Sequence, residues 1–215
     1  WDNYIYCELL RRKIAIPPKK ESATKTEKYA GAYVKEPKPG FYDWVVSFDL
    51  NSLYPHLIMQ YNISPETLQD RKHPTATVER ILAKQVNFDG YQDYSVCANG
   101  AMYRKDVRGF LPELMEKMYG DRVIFKKKML AAKQQYEKNP TKALEKEISR
   151  CNNIQMAKKI SLNSAYGALG NVHFRWYNRN LAEAVTLSGQ LSIKTAERAV
   201  NKWMNSIFKN EKDYV

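Results

Sequence analysis

Cysteine is scarce in this chain. Three occur among 215 residues, Cys7, Cys97 and Cys151. They lie too far apart for a zinc-ligand spacing or a disulfide framework, which excludes a metal-stapled or disulfide-dense small domain and points to a reducing compartment. Histidine is equally sparse, with His56, His73 and His173 in no metal spacing. No apolar run is long enough to span a bilayer, so no membrane partner is expected. The opening residues, Trp1-Asp2-Asn3-Tyr4, carry neither an initiator Met nor a signal-peptide pattern, and a partial sequence is expected. Acidic charge is also in deficit. Asp and Glu number 23 against 35 Lys and Arg, a net charge of +12. That surplus favours an anionic partner, nucleic acid above all, over a merely basic soluble domain.

What is present suffices for a folded core, since 44% of the residues are hydrophobic in a chain of one-domain length. Residues 4–16 read as a helix stopped by Pro17-Pro18, and residues 19–28 as a charged loop. Tyr29-Ala30-Gly31-Ala32-Tyr33-Val34 restores apolar content. Residues 44–50, aromatic and β-branched, predict a buried strand with Asp49 near its end. Helices are predicted over 54–61 and 78–84. Strands over 94–98 and 101–105 flank Asn99-Gly100, a strong hairpin signal. Residues 113–138 predict a long helix. Asn139 reads as the N-cap and Pro140 as the first position of a second helix running to 169. So short a link makes the two antiparallel, each reaching roughly 40 Å. A third helix, capped by Asn178, is predicted over 179–208.

Chemistry concentrates on the predicted hairpin and around Asp49. Gln155, Lys159, Asn163 and Tyr166 recur at helical spacing and share one face, as do Arg122 and Lys126. Side by side, the helices would offer Arg122, Lys126 and Lys159 to one polyphosphate. The plainer alternative is a basic surface hairpin with ordinary solvated charges, as expected for Lys127 and Lys128. A carboxylate at a strand end, as Asp49 is expected to be, suits Mg²⁺, which takes carboxylate, phosphate and water oxygens. A simple N-cap aspartate is the competing reading. The segment after it turns into a helix whose first N–H groups are phosphate donors.

Read together, these segments carry a resemblance. Ser47-Phe48-Asp49-Leu50-Asn51-Ser52-Leu53-Tyr54-Pro55 resembles motif A of family B DNA polymerases. Lys159-Ile160-Ser161-Leu162-Asn163-Ser164-Ala165-Tyr166-Gly167 resembles their motif B. Tyr29-Ala30-Gly31-Ala32 resembles the tyrosine–glycine motif between their exonuclease and polymerase parts. Asn62-Ile63-Ser64-Pro65-Glu66-Thr67, Asn99-Gly100-Ala101-Met102-Tyr103 and Gly167-Ala168-Leu169-Gly170-Asn171-Val172 further resemble T-even-type phage replicative polymerases. Two motifs in the expected order are far more specific than either alone.

The resemblance implies template-directed DNA synthesis with two Mg²⁺ ions, dNTP and primer-template DNA. It implies Asp49 and the Leu50 carbonyl as metal ligands. The backbone at Ser52 and Leu53, with Arg122, Lys126, Lys159 and Asn163, would face the dNTP. Tyr54 would be the steric gate against a ribose 2′-OH. Tyr166 would pack near the nascent base pair, Gly167 would admit the template, and Tyr29 and Gly31 would touch its backbone. His56 stands where the family often has a small serine and reads as a helix histidine, not a ligand. His73 and His173 have no obvious partners. The family's Asp-Thr-Asp triplet, motif C, does not occur in the chain, so an inactive fragment is expected. A sliding clamp, reached through regions outside the chain, and the cytoplasm of an infected bacterial host are implied as well.

The expected architecture is α+β. Residues 1–40 form a connector, 41–110 the first part of the palm with motif A, 111–169 a helical-hairpin fingers subdomain, and 170–215 the second part of the palm. The palm is expected to be an antiparallel sheet with helices, left with an exposed apolar edge. Two other classes stay open: a non-catalytic nucleic-acid-binding module using the Phe174-Arg175-Trp176-Tyr177 run, and a structural helical hairpin.

Overall fold

A computed structural model describes residues 1–19 and 30–215. The chain runs α1 (Asp2–Arg11), α2 (Leu53–Tyr61), β1 (Leu68–Lys72), α3 (Val78–Leu82), β2 (Tyr94–Val96), β3 (Ala101–Arg104), α4 (Phe110–Lys138), α5 (Lys142–Leu169) and α6 (Arg179–Phe208). This is a mixed helix and antiparallel-sheet fold, as expected for α+β.

The strands form one sheet in the order β1-β3-β2. Asn99-Gly100 closes the β2–β3 hairpin, pairing Tyr94 with Arg104 and Val96 with Met102. Gly100 sits at φ +78°, and a Cβ there would come 2.8 Å from the His73 carbonyl, so the turn admits no side chain. β1 was not foreseen, because Leu-Gln-Asp-Arg-Lys shows no apolar alternation. It is held by backbone pairing to β3 across an irregular register. His73 does have partners: Nε2 donates to the Asn87 carbonyl at 2.9 Å, and Nδ1 accepts from the Thr75 N–H at 3.3 Å.

Residues 44–50 form no strand. Trp44 is 94% exposed and Phe48 87%. The sheet consists of β1, β3 and β2 alone, and this segment pairs with none of them, so it has no ladder among the described residues. Asp49 and Leu50 therefore lie on an exposed extended stretch, not at a strand tip. What the chain leaves bare here is therefore an apolar segment outside the sheet, not a sheet edge.

The long helices match the sequence pattern more closely. α4 and α5 pack along each other, joined by residues 139–141. The cap of α5 is Thr141, whose Oγ1 accepts from the Leu144 N–H at 3.3 Å. Asn139 does not serve, because it is the C-cap of α4, its N–H donating to the Gln135 carbonyl at 2.9 Å, and it lies two residues before the cap of α5. α6 begins where predicted, with Asn178 Oδ1 accepting from the Asn180 N–H at 2.9 Å. α1 stops short of Pro17 because Lys13 turns left-handed at φ +56°.

The core lies where α1, α2, α4, α5 and α6 meet, around Ile5, Ile58, Tyr103, Leu114, Leu162 and Val185. α6 buries only its first third, through Gly189. Beyond it Trp203 and Phe208 are exposed. α1 is stapled to the bundle from several sides. Trp1 Nε1 donates to the Ser161 carbonyl at 2.7 Å, Arg12 pairs with Glu113 at 2.6 Å, and Arg175 pairs with Asp2 at 3.1 Å.

A buried polar knot fixes the start of α4. Asn62 ends α2 at φ +58°, a left-handed position that asparagine tolerates. Its Nδ2 donates to the carbonyls of Arg104 at 2.7 Å and Val107 at 2.8 Å, while its Oδ1 accepts from the Gly109 N–H at 2.9 Å. Glu66 Oε1 accepts from the Phe110 N–H at 2.5 Å. This carboxylate satisfies an orphan donor of the first turn of α4 and opposes the positive end of its dipole. The Asn62–Thr67 segment therefore joins the end of α2, the sheet and the base of the helical hairpin.

Candidate functional site

α2 is the hub of the site, since it packs on α4, α5 and α6. Its first turn carries Tyr54, and its N-cap is Ser52, left-handed at φ +55° and ψ +45°. That conformation costs a non-glycine residue about 1 kcal/mol and turns the chain from the exposed 41–50 stretch into the helix. His56 supports the turn. Its Nδ1–H donates to the Ser52 carbonyl at 2.8 Å, and its ring meets Tyr119 of α4 edge-on at 4.7 Å. His56 is thus a structural bridge between α2 and α4, in line with the helix-histidine reading.

Arg122 reaches the same turn from α4. Its Nη1 donates to Ser52 Oγ at 3.1 Å and lies 3.5 Å from Asn51 Oδ1. The side chain is only 7% exposed, and its Nε is buried without a partner among the described residues. A buried cation whose ligands are two neutral oxygens, with donors left over, keeps capacity for an anion. One residue away, Asp121 pairs with Lys158 of α5 at 2.8 Å. That clasp sets the register of the two helices beside Arg122 and Lys159. Sequence reasoning missed it, because the pairing is visible only once the antiparallel register is known.

Tyr54 is flanked by residues from two other helices. Tyr166 of α5 meets it with ring centroids 4.8 Å apart, and Gly189 of α6 also lies against the ring. The structure thus brings Ser52, Tyr54, Arg122 and Tyr166 together. Lys126, Lys159 and Asn163 remain exposed on the hairpin, as do Asp49 and Gly167. Gly167 would have nothing within 4 Å of an added Cβ, so protein packing does not demand glycine there. Gly31 is exposed, with its carbonyl accepting from Gln190 Nε2 at 2.7 Å, and the Ala30 carbonyl accepts from Thr186 Oγ1 at 2.9 Å. α6 therefore carries the tyrosine–glycine segment on Thr186 and Gln190 and backs Tyr54 with Gly189. No spacing signal marked these three residues beforehand. Tyr29 lies outside the described residues.

The donor set around Asp49 is oxygen only, one exposed carboxylate beside the Leu50 carbonyl. Among the described residues no group of three or more His, Cys, Asp or Glu could hold a metal ion. The set fits Mg²⁺ as a partial shell that phosphate and water complete, and does not fit a metal needing a protein cage.

Comparison with known proteins agrees with the motifs. The model of DNA polymerase family B matches residues 3–214. The chain is 31% identical to the DNA-directed DNA polymerase of Enterobacteria phage T4, over 100% of this chain and 28% of that protein. It is 32% identical to the DNA-directed DNA polymerase of Escherichia phage RB69, over 96% of this chain and 27% of that protein. Identity to the DNA polymerase of Desulfurococcus sp. (strain Tok) is 35%, over 86% of this chain and 21% of that protein. The chain spans about a quarter of the length of the phage relatives. No helix among the described residues is long and apolar enough to cross a membrane.

Proposed function

The chain belongs to DNA polymerase family B, and from that premise we propose that it is the dNTP-binding palm and fingers portion of an enzyme performing template-directed DNA synthesis. The reaction joins the primer 3′-oxygen to the α-phosphorus of a dNTP and releases pyrophosphate. The observation that carries this reading is Arg122, a buried cation with an unsatisfied Nε, poised over the turn that begins α2.

The residues divide the work as follows. Arg122, with Lys126 and Lys159, pairs with the triphosphate oxygens and offsets charge that develops on the leaving group. The first N–H groups of α2, at Ser52 and Leu53, donate to the same phosphates. The Tyr54 ring occupies the volume a ribose 2′-OH needs, rejecting ribonucleotides by collision. Asn163 lines the incoming nucleotide. Tyr166 packs against the nascent base pair, and Gly167 and Gly31, with Tyr29, admit the template backbone. The empty space around Gly167 supports its part. Asp49 and the Leu50 carbonyl would hold Mg²⁺, which when bound lowers the pKa of the primer hydroxyl and neutralises the phosphates. The α4–α5 hairpin acts as the fingers, bringing its cations onto a correctly paired nucleotide. The palm contributes residues 41–110 and 170–215, and residues 1–40 connect to it. The phage relatives support a viral protein acting in the cytoplasm of an infected bacterium, with primer-template DNA and a sliding clamp as partners.

The test is steady-state and single-turnover kinetics of the polymerase containing this chain. Arg122→Ala and Lys159→Ala raise the dNTP KM and lower kcat. Unchanged kinetics in both variants overturn the phosphate role.

A further inference from the structure

Gly189 is buried on α6, and its surroundings explain why it carries no side chain. A Cβ built there would lie 3.1 Å from Tyr54 Cε1, 3.6 Å from Leu57 Cδ1 and 3.8 Å from Tyr54 Cδ1. The first distance is tighter than ordinary packing allows, so the ring must give by a few tenths of an ångström. Glycine is a poor residue for a helix interior, and Gly189 lies well inside α6 with no left-handed backbone to require it. Its place is accounted for by the ring that rests on it.

From this we infer that Gly189 is a positioning residue for nucleotide sugar selection, setting how far the Tyr54 ring projects toward the incoming nucleotide. The inference rests on the reading of Tyr54 as the gate. The ring is in contact with α6 through Gly189 and with Tyr166 of α5, whose ring centroid is 4.8 Å away. A methyl group at 189 drives it away from α6. The gate then stands further into the sugar's volume. A rigid wall behind a selecting group fixes its position within a few tenths of an ångström, as discrimination by collision demands.

The experiment is incorporation kinetics with a dNTP and the matching ribonucleotide, on the polymerase containing this chain. Gly189→Ala raises the dNTP KM several-fold with a smaller fall in kcat, and raises discrimination against the ribonucleotide. Gly189→Ser, which adds the same Cβ, does likewise. In a Tyr54→Ala background the Gly189→Ala change has no further effect on either quantity, because there is no ring to displace. A general loss of packing would lower kcat equally in both backgrounds, and that result overturns the inference. It is also overturned if Gly189→Ala leaves sugar discrimination as it was while Tyr54→Ala abolishes it. If Tyr54→Ala itself leaves discrimination intact, the gate reading fails, and the inference fails with it. Should Gly189→Ala not fold, restored folding in Gly189→Ala/Tyr54→Ala supports the contact and continued failure to fold refutes it.

Discussion

Arg122 Nη1 and Ser52 Oγ, 3.1 Å apart, tie the helical hairpin to the residue that starts α2. The serine holds a left-handed backbone for that contact. Ser52→Ala keeps the backbone cost of about 1 kcal/mol and loses a charge-assisted hydrogen bond, so it destabilises by about 2 kcal/mol. Ser52→Gly loses the same bond and relieves the backbone, so its loss is smaller by about 1 kcal/mol. Urea unfolding of the two variants checks the order. Equal losses would show that the left-handed turn carries no cost.

The knot at the base of α4 gives a larger effect. Asn62→Ala removes three hydrogen bonds from a buried site and places alanine at a left-handed position, a loss of about 3–4 kcal/mol. Gly109→Ala would put a Cβ 2.5 Å from Ser64 Cβ, with an overpacking cost of about 2 kcal/mol. Thermal unfolding measures both, and a shift within error for Asn62→Ala would refute the knot.

Acid should release α1. Hydrogen bonds from Arg11 and Arg12 hold the Glu8 carboxyl below its usual range, and Arg12 does the same for Glu113. A lowered folded pKa means that this stabilisation is present above the ordinary glutamate value of about 4.3 and disappears as pH falls through the lowered value. Trp1, docked on Ser161, reports it. Fluorescence of the wild type minus that of Trp1→Phe stays constant from about pH 7 to 5 and changes below about pH 4. A transition centred near neutrality would contradict the clasp.

The thiols should separate by exposure. Burial pushes the Cys97 thiol up to about 12 and raises that of Cys151, whereas Cys7 is exposed. A thiolate-specific reagent at mildly alkaline pH therefore labels Cys7 in the native chain and all three after unfolding. Mass mapping of the labelled sites checks this, and rapid native labelling of Cys97 would place the β2–β3 turn outside the core.

Much of this arrangement is legible in the sequence where one residue type repeats with a period or a turn has a fixed chemistry. The α4–α5 pair, α6 with its Asn178 cap, and the Asn99-Gly100 hairpin are of that kind. β1 escaped because a polar strand is defined by its partner. Residues 44–50 were misread for the same reason in reverse, since apolar β-branched composition forms no strand without a ladder. Thr141 caps α5 in place of Asn139 because α4 runs on to the asparagine as its own C-cap. At the site, Tyr54 and Tyr166 carry motif signals and Arg122 a helical-spacing signal, and the three do lie around the start of α2. Ser52 as acceptor, the Asp121–Lys158 clasp and Gly189 depend on register between distant segments, which no local window records.

The Asn62–Glu66 knot also has a mechanical consequence. α4 extends about 43 Å from Gly109, at 1.5 Å per residue, so it works as a lever pivoted at its base. A tilt of about 5° there swings the far turn by roughly 4 Å and carries the Arg122 backbone, roughly 20 Å along, through about 1.7 Å. That smaller travel alone parts a hydrogen bond. A handful of bonds at the pivot, three of them made by buried Asn62, therefore govern with mechanical gain where the Arg122 guanidinium sits.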